Sequence, residues 1–181
     1  TALIVMATAQ MAAFYGIPCR AGGTLSDSKC VDAQAGWESM MNLLTTMTSG
    51  VHFVLHAAGI LESYMSMSYE KFIIDDAILG MVLRIKKGIE VNEEALPLDM
   101  VHQVGPGGHF LDQEHTFNTF RKEFWRPGIS DRGTFDNWCL LGSQDVNEVA
   151  HQKCQEILSA YQAPPLDPII EKQLISFMEQ I

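Results

Sequence analysis

Positive charge is scarce in this chain. Twelve Lys and Arg stand against 22 Asp and Glu in 181 residues, a formal net charge of −10. Phosphate contacts supply most of the affinity of generic nucleic-acid binders, and polybasic clusters that of proteins adhering to anionic membranes, so this balance argues against both. Unbroken apolar runs of the roughly 18 residues a membrane span needs are missing too. The most apolar stretch, residues 1–15, contains Thr8 and Gln10 and stops at Gly16. No basic n-region, apolar h-region and cleavage site open the chain. Cys19, Cys30, Cys139 and Cys154 form no C-x-x-C pair, which points to free, mostly buried thiols in a reducing cytoplasm rather than a disulfide framework. Signatures of the G-x-G-x-x-G, H-E-x-x-H and G-x-S-x-G types are absent as well.

What is present is enough apolar material, 47% of residues, for a sizeable core. Residues 1–15 favour helix through Ala, Leu and Met, with Gly16 at C′. A short run from Ile17 to Ala21 breaks at Gly22-Gly23. Asp32 is placed to cap a helix over 33–48, where Trp37, Met40, Met41, Leu44 and Met47 recur at helical spacing as core residues. The run from Val51 to His56 is β-like. After a loop through Met65, Ser68 caps a third helix whose buried stripe is Phe72, Ile74, Ile78, Met81, Val82 and Ile85, with Arg84, Lys86 and Lys87 in its last turn before Gly88. Asp75 and Asp76 flank that stripe, and one of them is expected to make a buried bond.

Strand-like runs stop near residue 90. Asn92 opens a helix unless Pro97 delays it. The loop Gly105-Pro106-Gly107-Gly108 leads to an aromatic stretch from Phe110 to Trp125. Asp145 and Glu148 form a D-x-x-E capping pattern for a helix to about Tyr161, and Asp167-Pro168 starts the last one. Strands separated by helices of this length require crossovers and hence a parallel sheet, an α/β fold. Two parallel strands cannot make a self-sufficient sheet. With Thr1 rather than Met at the start, the expectation is the C-terminal piece of a larger α/β barrel.

In such folds chemistry sits where strands end and loops begin. The first such place is Arg20 to Lys29: Gly22 and Gly23 allow close backbone approach, while the hydroxyls of Thr24, Ser26 and Ser28, with Asp27 and Lys29, supply polar contacts, the alternative being a plain polar loop. The second is His56, which alternation places on one face with His52 and Val54; at a strand's carboxyl end it is a candidate for proton exchange or hydrogen bonding with a substrate, or else it is a core histidine bonded to a carbonyl. His52 lies deeper and reads as structural. His102, His109, Asp112, Glu114 and His115 raise a zinc alternative, although H-x6-H-x5-H matches no standard ligand register.

A set of motifs in order along nearly the whole chain resembles the trimethylamine methyltransferase family: Gly22-Gly23 with Ser26-Asp27-Ser28-Lys29, then Asp32 to Glu38, Ala58-Gly59, Ser68 to Lys71 with Asp75-Asp76, Gly88 to Val91, Val104 to Leu111, His115-Thr116, Arg121, Trp125-Arg126-Pro127, Asp131-Arg132, Trp138 and Pro164 to Asp167. The resemblance implies the C-terminal part of a TIM (β/α)8 barrel, its last β/α units over 1–88, with a helical C-terminal extension over 89–181. It implies transfer of a methyl group from a methylated amine to the cobalt of a corrinoid (cobalamin) carried by a partner protein, with no cofactor or metal bound directly. Trimethylamine-specific members carry pyrrolysine; only standard residues occur here, so either the chain belongs to a glycine betaine-type, non-pyrrolysine branch or the pyrrolysine position lies outside these residues or is not represented.

Under that resemblance, aromatic faces and acidic neighbours would hold a methylammonium cation. Tyr64 and Trp37 are the local candidates, His56 is the candidate catalytic residue, and Arg20, Gly22, Gly23, Ser26 and Asp27 are candidates for substrate binding. The expected partners are a corrinoid protein and a small methylated amine, with neither nucleic acid nor membrane, and a homo-oligomer is expected. The 181 residues alone are expected to be inactive. The alternatives are a self-associating structural or partner-binding fragment, and a zinc module on His102, His109 and His115.

Overall fold

The computed structural model describes residues 1–180; Ile181, the last residue of the expected extension, lies outside them. Its elements are α1 (Ala2–Tyr15), β1 (Arg20–Gly22), α2 (Ala33–Thr48), β2 (Phe53–Leu55), β3 (Ile60–Leu61), β4 (Ser66–Met67), α3 (Tyr69–Lys87), α4 (Leu98–Val104), α5 (Glu114–Glu123), α6 (Phe135–Leu140), α7 (Val146–Ala160) and α8 (Pro168–Met178). The chain is thus mostly helical with few strands.

Local chemistry sets most boundaries. Gly16, at φ 66°, closes α1 by donating its N–H to the Ala12 and Ala13 carbonyls, a left-handed cap that only glycine takes without steric cost. The Asp32 carboxylate accepts the Ala35 N–H and opens α2, and Ser68 does the same for α3 through Lys71 N–H. Asp145 and Glu148 form a reciprocal capping box on α7. Pro97 delays the helix expected from Asn92 until Leu98, and the Asn92 side chain instead accepts the Ala95 N–H in a turn.

β1 and β2 pair in parallel, Arg20 with Phe53, Ala21 with Val54 and Gly22 with Leu55. The first strand begins at Arg20, three residues later than Ile17, because Pro18 has no N–H to give to a ladder. The stretch expected as a loop through Met65 is a hairpin: Ile60 pairs with Met67 and Leu61 with Ser66, antiparallel. Its tip, Glu62–Ser63–Tyr64, has positive φ at all three residues.

The core lies between α2 and α3, where Leu43, Ile78 and Val82 are buried with Met40, Leu44, Met47, Val54, Ile74 and Leu79 against them. Each such aliphatic side chain stabilises by about 1.5–3 kcal/mol when fully removed from water. The apolar stripes are narrower than their periodicity suggests: Trp37, Met41, Phe72 and Ile85 are exposed. Burial of the thiols is also less than expected, Cys154 being buried and Cys30 and Cys139 exposed, all of them free. α7 packs along α3, with Ala150 and Cys154 as its buried positions. No helix among the described residues is long and apolar enough to cross a membrane.

Candidate functional site

The carboxyl ends of β1 and β2 lie side by side, and the Gly23 N–H continues their ladder to the Leu55 carbonyl at 3.0 Å. Gly23 is buried here, and a Cβ on it would stand 2.8 Å from Ala57 Cα and 3.1 Å from the His56 carbonyl oxygen, so any side chain would force the two loops apart. A Cβ on Gly22 would meet Leu25 and lie 3.5 Å from the Tyr64 hydroxyl.

His56 follows β2 directly. Its φ of 54° ends the strand's alternation, so it does not continue the face of His52 and Val54. The ring is exposed and sits edge-on to Tyr64, centroids 4.9 Å apart at 75°. It is therefore not a core histidine tied to a carbonyl. His52 accepts the Cys19 N–H at 3.3 Å, a strand-capping contact.

The loop after β1 is held from three sides. The Glu38 carboxylate accepts from the Ser26 hydroxyl and the Asp27 N–H, each at 2.8 Å, and from Gln34 at 3.0 Å. Burial acts to raise the Glu38 pKa, but these three donors outweigh it and leave it below the usual carboxylate value. Asn42 donates to the Leu25 carbonyl and Thr46 to the Gly22 carbonyl. Gln34, Glu38, Asn42 and Thr46 thus form one four-residue-spaced row on α2 that pins the backbone beyond β1. From the hairpin tip, Glu62 N–H and Ser63 N–H donate to the Ser28 and Ser26 carbonyls, and the Ser63 hydroxyl donates to Asp27.

Beneath both loops lies a buried ion pair. Lys71 and Asp75, one turn apart on α3, have fully buried side chains and meet at 2.6 Å. Lys71 also donates to the Ser39 hydroxyl at 2.8 Å. Asp75 accepts the Gly59 N–H at 2.8 Å and faces the Thr24 hydroxyl at 2.7 Å. Burial pushes the lysine's pKa down and the aspartate's up, and their mutual attraction opposes both shifts.

Of the residues singled out from the sequence, Gly22, Gly23, Ser26, Asp27, His56 and Tyr64 come together. Arg20 is exposed at the amino end of β1, two residues below the others, and Trp37 is exposed on α2 without ring contact to Tyr64 or His56. The expected buried bond of Asp75 is present; its partner Lys71, and Glu38 and Ser63, were not anticipated, and the Thr24 hydroxyl, expected to offer a polar contact in the loop, is instead turned inward to Asp75. The i, i+4 Lys–Asp spacing beside an apolar stripe and the polar row on α2 were the signals available for them. The histidines of the zinc alternative take separate partners, His115 the Glu94 carbonyl and His109 Asp112 at 3.6 Å. Among the described residues no three His, Cys, Asp or Glu side chains gather to share a metal.

This arrangement, a glycine-lined floor, one exposed imidazole, one aromatic ring and one carboxylate at adjoining strand ends, can be set beside known proteins. A family profile for trimethylamine methyltransferases matches residues 1–180. The chain belongs to the trimethylamine methyltransferase family. Within it, the chain is 50% identical over 179 residues to the glycine betaine methyltransferase of Desulfitobacterium hafniense strain Y51, covering 99% of this chain and 37% of that protein. It is 36% identical over 178 residues to the trimethylamine methyltransferase MttB of Methanosarcina barkeri strain Fusaro, covering 98% of this chain and 36% of that protein. A second Desulfitobacterium hafniense protein, the trimethylamine methyltransferase MttB of strain DSM 10664, is 29% identical over 178 residues. The chain spans a little over a third of the length of these family members.

Proposed function

We propose that this chain forms the C-terminal part of a TIM-barrel methyltransferase that moves a methyl group from a quaternary ammonium compound of the glycine betaine type to the cobalt of a corrinoid held by a partner protein. The observation that carries this reading is the exposed His56 ring against Tyr64 at the carboxyl end of β2, beside Asp27, in a chain that shares half its residues with a glycine betaine methyltransferase. A corrinoid brought by the partner protein would supply the cobalt nucleophile that accepts the methyl group.

The residues fit this reading, because the His56 ring is exposed immediately after β2 and no described group hydrogen-bonds it. The face of Tyr64 and the Asp27 carboxylate attract a trimethylammonium head, ring quadrupole and negative charge acting together. As the C–N bond breaks, its electron pair stays on nitrogen. A quaternary substrate then leaves as a neutral amine and needs no proton, so His56 orients it; with a protonated tertiary amine His56 holds the proton at nitrogen.

Methyl transfer to cob(I)alamin by the full-length protein, with glycine betaine and trimethylamine compared, tests the reading. Turnover of the betaine in preference is expected, falling with His56→Ala. Unchanged transfer by His56→Ala removes the catalytic assignment. Self-association is a second reading, favoured by α1, where Leu3, Ile4 and Phe14 are exposed on a helix apolar all round; sedimentation equilibrium of the isolated chain decides it.

A further inference from the structure

His56 stands in a conformation that its residue type does not favour. Its φ is 54°, and the hairpin tip packed against it adds Glu62, Ser63 and Tyr64 at φ 49°, 50° and 78°. A non-glycine residue in this region costs about 1–2 kcal/mol and persists only where surrounding contacts over-determine it. The contacts that do so converge on one buried carboxylate. Asp75 takes the Gly59 N–H, three residues after His56. Thr24, fully buried in the loop after β1, places its hydroxyl 2.7 Å from Asp75 and 2.8 Å from the Ala57 carbonyl, next to His56. Its single proton serves one of the two at a time: the bond to Ala57 ties the β1 loop directly to the β2 turn, and the bond to Asp75 ties it there through the carboxylate that also holds Gly59.

Lys71 makes this hub tenable. Its three ammonium protons have Asp75, the Ser39 hydroxyl at 2.8 Å and the Thr24 carbonyl at 3.4 Å to go to, so the buried charge is both paired and hydrogen-bonded. None of these groups reaches the strand edge, since Thr24, Lys71, Asp75 and Ser39 all have zero exposure. Direct contact with substrate is therefore out of reach for them.

We propose that Thr24, Asp75 and Lys71 are positioning residues that lock the Ala57–Gly59 turn and so aim the His56 imidazole. This rests on the reading of His56 as the working residue of the site. Thr24→Val, nearly isosteric, removes the hydroxyl while leaving the ion pair intact, and Thr24→Ser restores it.

In the full-length protein, Thr24→Val is expected to lower kcat for methyl transfer by about 10- to 100-fold, the scale of a small misplacement of a reacting group, with KM for the amine little changed. Thr24→Ser should return to within about 3-fold of the parent, and Thr24→Val added to His56→Ala should cost nothing further, since residues acting as one unit are not additive. Amide exchange at Ala58 and Gly59 should accelerate about 10-fold in Thr24→Val while mid-α3 amides stay protected. Unchanged exchange at those amides, or losses that multiply in the double variant, would overturn the proposal. If exchange accelerates yet His56→Ala transfers methyl normally, the functional reading fails and takes the positioning role with it, leaving a clamp that serves only the fold.

Discussion

Residues 1–88 and residues 89–180 obey different physics. In the first region apolar and polar groups are buried together: Leu43, Ile78 and Val82 form the core, while Thr24, Ser39, Lys71 and Asp75 are sealed beside it. In the second, only Pro127, Ala150 and Cys154 are buried among the described residues, although Phe117, Phe124, Leu140 and Phe177 are all present and exposed. Helices form in both, because caps and propensity are local. Burial differs because the first region crosses back on itself through strands and long-range hydrogen bonds, whereas α4, α5, α6 and α8 follow one another with few returns. Stability in the second region accordingly depends on how it is anchored to α3, by α7 and by Trp125 against Gly80.

The contrast can be broken most severely at Lys71. Lys71→Ala leaves Asp75 as an unpaired buried charge, and a loss of about 3–5 kcal/mol, or failure to fold, is expected in chemical denaturation of the first region. Replacing both partners, Lys71→Met with Asp75→Leu, should cost less, about 1–3 kcal/mol, because the Gly59 N–H still loses its acceptor. A double variant as damaged as the single one would show that the charge itself is not the problem.

Next comes Gly23→Ala. Its Cβ would meet the backbone Cα of Ala57 at 2.8 Å, so about 1–3 kcal/mol of overpacking is expected together with displacement of His56. Retained stability and an unmoved His56 resonance would sink that account. Where the second region meets α3, Gly80→Ala is expected to expel the Trp125 ring, whose nearest atom would lie 2.1 Å from the new Cβ. Because Trp125 is half exposed, the cost should be near 1 kcal/mol. Tryptophan fluorescence shifting to the red, with the first region's denaturation midpoint unchanged, would confirm that the two regions are separately held.

The smallest effect is expected at the Glu70–His151 contact between α3 and α7. The His151 hydrogen bond first, and the Ser68 hydroxyl second, hold the Glu70 carboxyl at about 2, below its ordinary 4.5. A depressed folded pKa stabilises above the unfolded value, so the contribution is complete above pH 4.5 and is lost as pH falls toward 2. For so exposed a pair it amounts to about 0.2–1 kcal/mol. NMR titration should show the Glu70 midpoint rising in His151→Ala; an unmoved midpoint would assign the depression to Ser68 alone.

Much of this was readable in advance wherever the controlling groups are close in sequence. Asp32, Ser68 and the Asp145–Glu148 box cap the helices they were expected to cap, and Gly16 ends α1, because each acts over three or four residues. The parallel strand pair followed from helix-length crossovers. The hairpin at Ile60–Met67 did not, since its two-residue strands are too short to show alternation and its tip uses non-glycine residues at positive φ. Phe72 and Trp37 were expected inside because periodicity reports a face, not what covers it.

The candidate site divides in the same way. Gly22, Gly23, Asp27 and His56 stand out by residue type and by their place after strand-like runs, and the order of motifs marks the family. That His56 leaves its strand's face to meet Tyr64, that Arg20 and Trp37 stand apart, and that Lys71 is buried rather than solvated were settled only in three dimensions. The Thr24–Asp75 bond joins residues 51 apart, and Thr24 reaches Ala57 across 33. Local rules act through a turn of chain, but a buried charge becomes tolerable only when distant segments converge to satisfy it. The sequence by itself therefore determined the long helices with their caps and the family, while tertiary packing decided which polar groups are sealed in and where His56 points.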